Sequence, residues 1–453
     1  MPVFDVLVRN GHVVTEQGDD MADIGISDGR IAEIGPELAG SAAEEIDLAG
    51  ATVFPGVVDA HVHVNEPGRT EWEGWASGSA AMAAGGTTTC VEMPLNAIPP
   101  TLDGAAFDAK VAALARSSIV DVALWGGLTP ANLDRLEELA DRGVVGFKAF
   151  LSRSGTSEFR HADDDTLFLG MQRAAALDLP VAVHAENDAI TAGRAARAVA
   201  AGSCTMRDYL ESRPVVAELE AIGRAVLLAE AAGCRLHIVH VSSGAGVALI
   251  VAARERGVDV TCETCPHYLL FTDEDVERIG ALAKCAPPIR DARERETLWE
   301  AVRNGDVDWI ASDHSPAPPS MKRGEDAFAI WGGISGCQHL LATALTGSHT
   351  HHVGASIVAR LLATAPAERL RLAGKGAIAV GNDADLTWGT RQDPAPLPVE
   401  EVRYRHPRSA WDEVPLTWRA GGTMLRGTVI ARDGRVIAEG GGRLVRPEIR
   451  STA

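Results

Sequence analysis

The sequence lacks three features that would each direct its interpretation: a long apolar run, an excess of basic residues and an even set of cysteines. No run reaches the roughly 18 apolar residues that a membrane-spanning helix needs. No apolar amino-terminal leader is present either, so we expect neither a membrane span nor a signal peptide. The 62 acidic residues outnumber the 42 basic ones and give a net charge of −20. Nucleic acids and anionic membranes, which attract basic surfaces, are therefore not expected partners.

Cysteines are few and odd in number: the chain of 453 residues has seven, at positions 90, 204, 234, 262, 265, 285 and 337. An odd count spread over so long a chain is not a disulfide framework, and it favours a reducing cytoplasm. Cys262 and Cys265 form a C-x-x-C, but no second pair accompanies them and Cys262 lies inside a strand pattern, VDVTCET. A redox pair or a zinc ribbon is therefore the weaker interpretation.

Both ends of the chain carry short alternating strand patterns separated by NG, DG and AG turns, as in DVLVRNGHVV and TMLRGTVIARDGRVIAEG. Such patterns are typical of antiparallel hairpins. Because the same pattern occurs at both ends, we expect the two segments to fold together. The prediction is one small β-sandwich domain built from residues 1–54 and residues 371–453, the latter including a tail.

Between these ends, apolar strand-like runs alternate with alanine-rich stretches of helical spacing, such as VAELEAIGRAVLLAEAAG at 216–233. Eight runs are found, at residues 57–64, 86–93, 119–126, 143–150, 180–186, 235–241, 257–263 and 307–313. Eight β–α repeats favour a closed parallel barrel over an open sheet. The predicted fold class is therefore α/β, with a (β/α)8 TIM-like barrel over residues 55–370.

Six residues with metal-binding chemistry lie at or near the carboxyl ends of these runs: His61, His63, Lys148, His184, His240 and Asp313. Side chains alternate along a strand, so His61 and His63 share a face. The carboxyl ends of barrel strands converge on one mouth, where barrel enzymes place their active sites. The six residues therefore predict a two-metal hydrolase. Imidazole suits zinc, iron, nickel or cobalt, and the carboxylate extends the choice to manganese.

Lys148 distinguishes a two-metal site from a plain cluster of histidines. Lysine is seldom buried without a partner, and a buried lysine readily loses its proton. The neutral amine can take up CO₂ as a carbamate, an anionic ligand able to bridge two cations roughly 3.5–4 Å apart. The alternative interpretation is a lysine at the edge of the core that is paired with an acid.

The predicted chemistry is hydrolysis of an amide-like bond by a hydroxide that bridges two metal ions. Two cations lower the pKa of the shared water toward about 7 and polarise the carbonyl oxygen of the substrate. Asp313 is the candidate proton carrier from that hydroxide to the departing nitrogen. No serine or cysteine nucleophile is required, and no G-x-S-x-G elbow is present.

Two further histidines are assigned to the scaffold. His237 lies three residues before His240, so strand alternation points it outward, toward the helices. His267 in CPHYLLF follows the seventh run, where packing or a hydrogen bond to a ligand residue is expected.

Seven strings distributed along the chain carry a likeness to known proteins: DAHVHVNEPGRTEWEGW (59–75), GGTTTCVEMPLN (85–96), GFKAFLS (146–152), TCPHYL (264–269), KCAPPIRD (284–291), SDHSPAPPSMK (312–322) and WGGISG (331–336). With these strings the sequence resembles the cyclic amidohydrolases, most of all their allantoinase branch. The resemblance implies a barrel plus a composite β-sandwich, two metal ions (usually zinc), a carboxylated Lys148 that bridges them, and often a homotetramer. It also implies a cyclic ureide substrate, with ring opening of allantoin to allantoate in purine catabolism.

Other branches of the family, the hydantoinases and dihydropyrimidinases, are the nearest alternative. They usually carry a tyrosine soon after the bridging lysine, and residues 149–155 (AFLSRSG) contain none. Dihydroorotases place an arginine at the position of Asn65, where a neutral amide suits a substrate that has no carboxylate. Asn65, Asn96 and the backbone around Ala286 and Gly333 are the expected ring-binding positions, and relatives often have serine or asparagine at position 286. A non-catalytic scaffold is disfavoured because such family members lose metal ligands.

Overall fold

The computed structural model describes residues 3–16 and 18–448. Its strands fall into three groups along the chain. The first group is β1 (Val3–Thr15), β2 (Gly18–Ser27), β3 (Arg30–Gly35), β4 (Ser41–Asp47) and β5 (Thr52–Pro55). The second is β6 (Val57–Val62), β7 (Thr87–Glu92), β8 (Asp121–Leu124), β9 (Gly126–Gly127), β10 (Phe147–Phe150), β11 (Val181–His184), β12 (Leu236–Ile238), β13 (Val260–Thr264) and β14 (Trp309–Ile310). The third is β15 (Leu386–Ala395), β16 (Leu416–Leu425), β17 (Thr428–Arg432) and β18 (Arg435–Val436).

The α-helices of the same part of the chain are α1 (Trp75–Gly85), α2 (Gly104–Ser117), α3 (Leu136–Arg142), α4 (Asp164–Ala176), α5 (Asp188–Ala200), α6 (Met206–Ser212), α7 (Val215–Ala232), α8 (Gly244–Glu255), α9 (Pro266–Leu270), α10 (Asp273–Ile279), α11 (Ala292–Asn304), α12 (Leu340–Thr350), α13 (Ala355–Ala359) and α14 (Ala365–Arg369). Several begin at a side chain that accepts a hydrogen bond from the first turn, as Asp103, Asp163 and Ser243 do before α2, α4 and α8. Among residues 3–16 and 18–448, no helix has the length and apolar character needed to cross a bilayer.

The second group of strands forms the predicted barrel. β6, β7 and β8 pair in parallel, and β9 to β14 continue in parallel in the order of the sequence. β8 and β9 flank Trp125, whose backbone N–H bonds Glu92 at 3.0 Å, so the two short strands occupy one position in the barrel. A parallel bridge between Val62 and His314 joins the last strand to the first. The predicted fold class is thus confirmed.

Side chains of the barrel strands alternate between two cores. On β11, Val181 and Val183 belong to the cluster that includes the helices, whereas Ala182 belongs to an inner cluster with Val58, Val91 and Ala123 of other barrel strands. On β12, Leu236 and Ile238 lie in the outer cluster. This alternation turns the side chains between them toward the inside of the barrel. Because the strands are parallel, their carboxyl ends lie at one mouth.

The first and third groups of strands share one nine-stranded sheet, in which β5 pairs with β15 antiparallel and so joins the two ends of the chain. A buried ion cluster connects this sheet to the barrel. The ammonium of Lys375 lies 2.6 Å from Asp121 of β8, 2.9 Å from Asp383 and 2.8 Å from Asp385. The domain boundaries given above, at residues 54/55 and 370/371, stay predictions.

Candidate metal centre

Three of the six predicted ligands meet at the mouth of the barrel. One nitrogen each from His61 and His63 and one oxygen of Asp313 lie within 4.8 Å of one another. Asp313 Oδ1 is 3.2 Å from His61 Nε2 and 3.6 Å from His63 Nε2. All three side chains are buried. Two imidazoles and a carboxylate at this spacing are a suitable ligand set for a divalent transition metal.

Each of these two imidazoles is oriented by a hydrogen bond on its far side. His61 Nδ1 bonds Glu263 Oε1 at 2.5 Å, and His63 Nδ1 bonds the backbone oxygen of Leu95 at 2.6 Å. Because both acceptors require a hydrogen on Nδ1, the Nε2 lone pairs of both rings point toward Asp313. This is the arrangement that ligand histidines adopt in metalloproteins.

His184 and His240 lie beside the first group and form a second pair. His184 Nδ1 is 3.1 Å from His240 Nε2, and His184 Nε2 is 2.9 Å from Glu186 Oε2. The ring centroids of His61 and His240 are 5.4 Å apart, and those of His184 and His240 are 4.8 Å apart. The four imidazoles therefore form a continuous arc around the mouth. Burial is the main cause that lowers the pKa of His240 well below the ordinary value.

Lys148 of β10 is fully buried among these groups, and its Nζ makes no hydrogen bond to any residue that the structure describes. The ammonium lies 4.9 Å from the ring centroid of Phe150. Burial lowers the pKa of Lys148 to about 7, against the opposing charges of Glu263 and Asp313. A substantial fraction of the amine is therefore neutral at neutral pH, which is the form that reacts with CO₂. The alternative of a lysine paired with an acid does not match these contacts.

Two of the six residues adopt left-handed backbone conformations. The φ angle is 40° at His240 and 45° at Asp313, and Asn65, next to the site, has a φ of 67°. A non-glycine residue in this region costs free energy, and such residues are concentrated at functional sites. The chain is thus bent just after β12 and β14, at the predicted ligands His240 and Asp313.

The charge state of Asp313 suits both ligation and proton transfer. Burial alone would raise the pKa of Asp313, but the neighbouring His61 and His63 lower it below its usual range. The side chain is therefore a carboxylate at neutral pH. Its residue is 8% exposed, more than the 1% of His61, which leaves Asp313 nearer the open side of the site.

The four predicted substrate contacts differ in what they offer. Asn65 is buried, its Oδ1 accepts a long bond of 3.4 Å from Asn96 Nδ2, and its own Nδ2 has no hydrogen-bond partner. Gly333 already uses its N–H on the backbone oxygen of Lys284 at 2.8 Å. Ala286 is half-buried. An unpaired amide donor makes Asn65 the best placed of the four to meet a carbonyl oxygen.

The direction predicted for His237 is wrong. Its Nε2 lies 3.2 Å from Glu263 Oε2, and its ring stacks on Trp309 at 4.0 Å, inside the barrel. The argument from His240 fails because β12 ends at Ile238, so alternation does not extend to His240. His267 is buried, and within the described residues neither ring nitrogen makes a hydrogen bond, so it does not bond a predicted ligand residue.

Sequence reasoning did not single out Glu186 and Glu263, the two glutamates that hydrogen-bond predicted ligand histidines. Glu186 lies two residues after His184, and this short separation was the one local signal that could have suggested a contact. Glu263 is separated from His61 by 202 residues and has no comparable local signal.

Known proteins resemble this chain both in sequence and in structure. The model of the amidohydrolase family matches residues 52–405. An allantoinase from Rubrobacter xylanophilus is 59% identical, with 99% of each chain covered, and one from Solibacter usitatus is 54% identical, with 99% of this chain and 98% of the relative covered. Among solved structures, an L-hydantoinase (dihydropyrimidinase) from Arthrobacter aurescens superposes with a TM-score of 0.94 at 37% identity, covering 98% of this chain and 100% of its own. The chain therefore belongs to the amidohydrolase family.

Proposed function

We propose that this protein hydrolyses a cyclic ureide ring, with allantoin opened to allantoate as the reaction. The observation that carries the proposal is the arc of four imidazoles around Lys148 and Asp313 at the mouth of the barrel. The end-to-end similarity to allantoinases supports the choice of substrate. The reaction class, hydrolysis of a carbon–nitrogen bond in a cyclic amide, is common to these relatives and to the hydantoinases.

We infer that the site holds two divalent cations, zinc by preference and cobalt or manganese as alternatives. His61, His63, His184, His240 and Asp313 are the ligands in this proposal, and carboxylated Lys148 bridges the two ions. The bare Nζ of Lys148, which is buried without a partner, supports the bridging role. When bound, such ions lower the pKa of water and polarise a carbonyl oxygen.

Asp313 and Asn65 have separate roles in the proposed reaction. Asp313 is a carboxylate beside His61 and His63, so it can accept a proton from the attacking water and return it to the departing ring nitrogen. Asn65 Nδ2, which has no partner within the described residues, is available to donate to a carbonyl oxygen of the ring. The burial of these groups excludes bulk water and strengthens each of these contacts.

The tyrosines of the chain favour allantoin over hydantoins as substrate. The sequence has three tyrosines. Tyr209 donates to the backbone oxygen of Cys285 at 2.9 Å, and Tyr268 donates to that of Pro287 at 2.8 Å. Tyr404 Oη lies 2.8 Å from His339 Nδ1. Each hydroxyl is thus bonded within the scaffold, whereas hydantoinases usually carry a tyrosine near the bridging lysine to bond the oxyanion.

The test is turnover of the purified protein on allantoin, hydantoin and dihydrouracil, together with its metal content. We expect two equivalents of metal per chain and the highest kcat/KM on allantoin. Higher kcat/KM on hydantoin or dihydrouracil would assign the protein to the hydantoinase branch, which the fold similarity also allows. A protein with no stoichiometric metal and no turnover of any ring would instead be a scaffold.

We also infer a homotetramer in the cytoplasm. The seven free cysteines support a reducing compartment. Apolar side chains on the outer helices, among them Val199 of α5, 47% exposed, and Leu227 of α7, 66% exposed, support burial against further copies of the chain. Light scattering of the purified protein tests the subunit number.

A further inference from the structure

Two buried glutamates hydrogen-bond histidines of the proposed metal centre from outside the arc of imidazoles. Glu263, on β13, is 1% exposed and bonds His61 Nδ1. Glu186, just after β11, is fully buried and bonds His184 Nε2 at 2.9 Å. The two histidines belong to different halves of the arc, His61 beside Asp313 and His184 beside His240. In each half, one histidine is therefore hydrogen-bonded to a carboxylate that lies outside the arc.

The two carboxylates bind opposite nitrogens of their imidazoles. A carboxylate accepts the hydrogen of the ring nitrogen that faces it, which leaves the lone pair on the other nitrogen. In His61 that bare nitrogen is Nε2, which faces Asp313, and in His184 it is Nδ1, which faces His240 Nε2. Both lone pairs thus point into the arc.

We propose that Glu263 and Glu186 are positioning residues of the two metal positions, each fixing the tautomer of one ligand histidine, with Glu263 contributing more. This inference rests on the proposed metal centre and extends it to residues that touch neither the ions nor the substrate. Carboxylates in this place make the imidazole a more basic ligand and hold its ring in the ligating orientation.

The expected inequality follows from the other partners of the two carboxylates. Glu186 Oε2 is also bound by the guanidinium of Arg213, a permanent cation that offsets the negative charge. Glu263 Oε2 accepts only from neutral donors among its other hydrogen-bond partners, Trp309 Nε1 at 2.7 Å and the ring of His237 at 3.2 Å. The charge of Glu263 is therefore more available to His61 than the charge of Glu186 is to His184.

The chain offers a matched control for the burial of a carboxylate. Glu218 of α7 is 1% exposed, and its oxygens accept from the backbone N–H of Ser242 at 2.7 Å and from the hydroxyl of Ser243 at 2.6 Å. Within residues 3–16 and 18–448, Glu218 bonds Ser242 and Ser243 and no histidine. Glu218→Gln therefore removes a buried charge from the same protein without altering an imidazole.

The experiment measures Co²⁺ binding to metal-free wild type, Glu263→Gln, Glu186→Gln and Glu218→Gln, by competition with a chelator and by the visible absorption of the bound cobalt. Loss of an outer carboxylate typically weakens metal affinity about 10- to 100-fold, so we expect a loss in this range for Glu263→Gln and a smaller one for Glu186→Gln. Both variants should also shift the cobalt absorption bands. Glu218→Gln should keep both the affinity and the spectrum of the wild type.

The results distinguish the positioning roles of Glu263 and Glu186 from the metal centre itself. A wild-type protein that binds no stoichiometric Co²⁺ refutes the metal centre itself. Two equivalents in the wild type, with unchanged affinity and bands in both glutamate variants, refutes only the positioning roles. An equal loss in Glu218→Gln assigns the effect to general destabilisation and also overturns the inference. Should Glu263→Gln fail to fold, Glu186→Gln carries the same test, because its partners are different residues.

Discussion

Two buried lysines of this protein lie in clusters of potential metal ligands and have opposite surroundings. Lys148 lies among imidazoles without a hydrogen bond, and burial lowers its pKa to about 7. Lys375 lies among three carboxylates within 2.9 Å of its ammonium. Burial alone would lower the pKa of Lys375, but Asp385 and Asp121 raise it above its usual range.

The difference shows how neighbours decide the use of a buried amine. Asp121, Asp383 and Asp385 lie close enough to hold a cation, and Lys375 already supplies one. That cluster is a structural contact between the barrel and the nine-stranded sheet. At the mouth of the barrel the amine has no such partner, so loss of its proton is favoured, and the neutral amine is the form that the proposed reaction with CO₂ requires.

The largest expected effect comes from Lys148→Met. We expect the variant to lose its bound metal and, with it, measurable turnover, because the proposed bridging ligand is removed. The melting temperature of the metal-free protein should not fall, since the deleted ammonium has no hydrogen bond. Metal analysis, steady-state kinetics and thermal melts measure the three quantities.

The smaller variant Lys148→Ala tests the carbamate itself. It leaves space where the lysine side chain was, and a short carboxylic acid such as acetate can supply the missing anionic oxygens. Partial return of metal and activity with acetate is expected, and full activity in its absence would refute the bridging role.

The next largest effect is expected from a change to a carboxylate, Asp313. Asp313→Asn should lower kcat by about 100- to 10,000-fold with little change in KM, because the proton carrier is removed while the shape is kept. Asp385→Asn, at the structural cluster, is the matched control and should retain the turnover of the wild type. A kcat near the wild-type value in Asp313→Asn would assign proton transfer to another group.

Lys375→Met should lower stability and leave activity unchanged, which is the opposite of the result expected for Lys148→Met. It leaves the buried Asp121 and Asp385 and the half-buried Asp383 without their shared cation, and breaking a buried ion pair in this way costs about 3–5 kcal/mol. Denaturant unfolding should show this loss, while the folded fraction keeps its metal and its turnover. Equal stability of Lys375→Met and the wild type would contradict the structural role.

The smallest expected effect is a dependence on pH. Below its pKa of about 7, Lys148 is an ammonium and cannot react with CO₂, whereas above it the neutral amine predominates. Reactivation of protein stripped of metal and CO₂, at a fixed concentration of dissolved CO₂ and Zn²⁺, should therefore be about tenfold faster near pH 8 than near pH 6. A rate independent of pH in this range would separate metal loading from carboxylation.

Most of the barrel could be predicted because its signal is local. Each of the eight apolar runs overlaps one barrel strand or, at 119–126, a strand interrupted at Trp125. The ends of such strands converge in any closed barrel, which is why His61, His63 and Asp313 could be placed together before their contacts were known. The inward direction of the His237 side chain could not be predicted, because it depends on where β12 ends.

The sequence by itself determined the order of strands and helices, the residue types at the barrel mouth and the family, all through patterns spanning a few residues at a time. Tertiary structure alone decided which glutamates lie behind His61 and His184, and what surrounds each buried lysine. The physical reason is distance along the chain. Lys375 pairs with Asp121 across 254 residues, and the free energy of a buried charge depends on such partners, which no local pattern specifies.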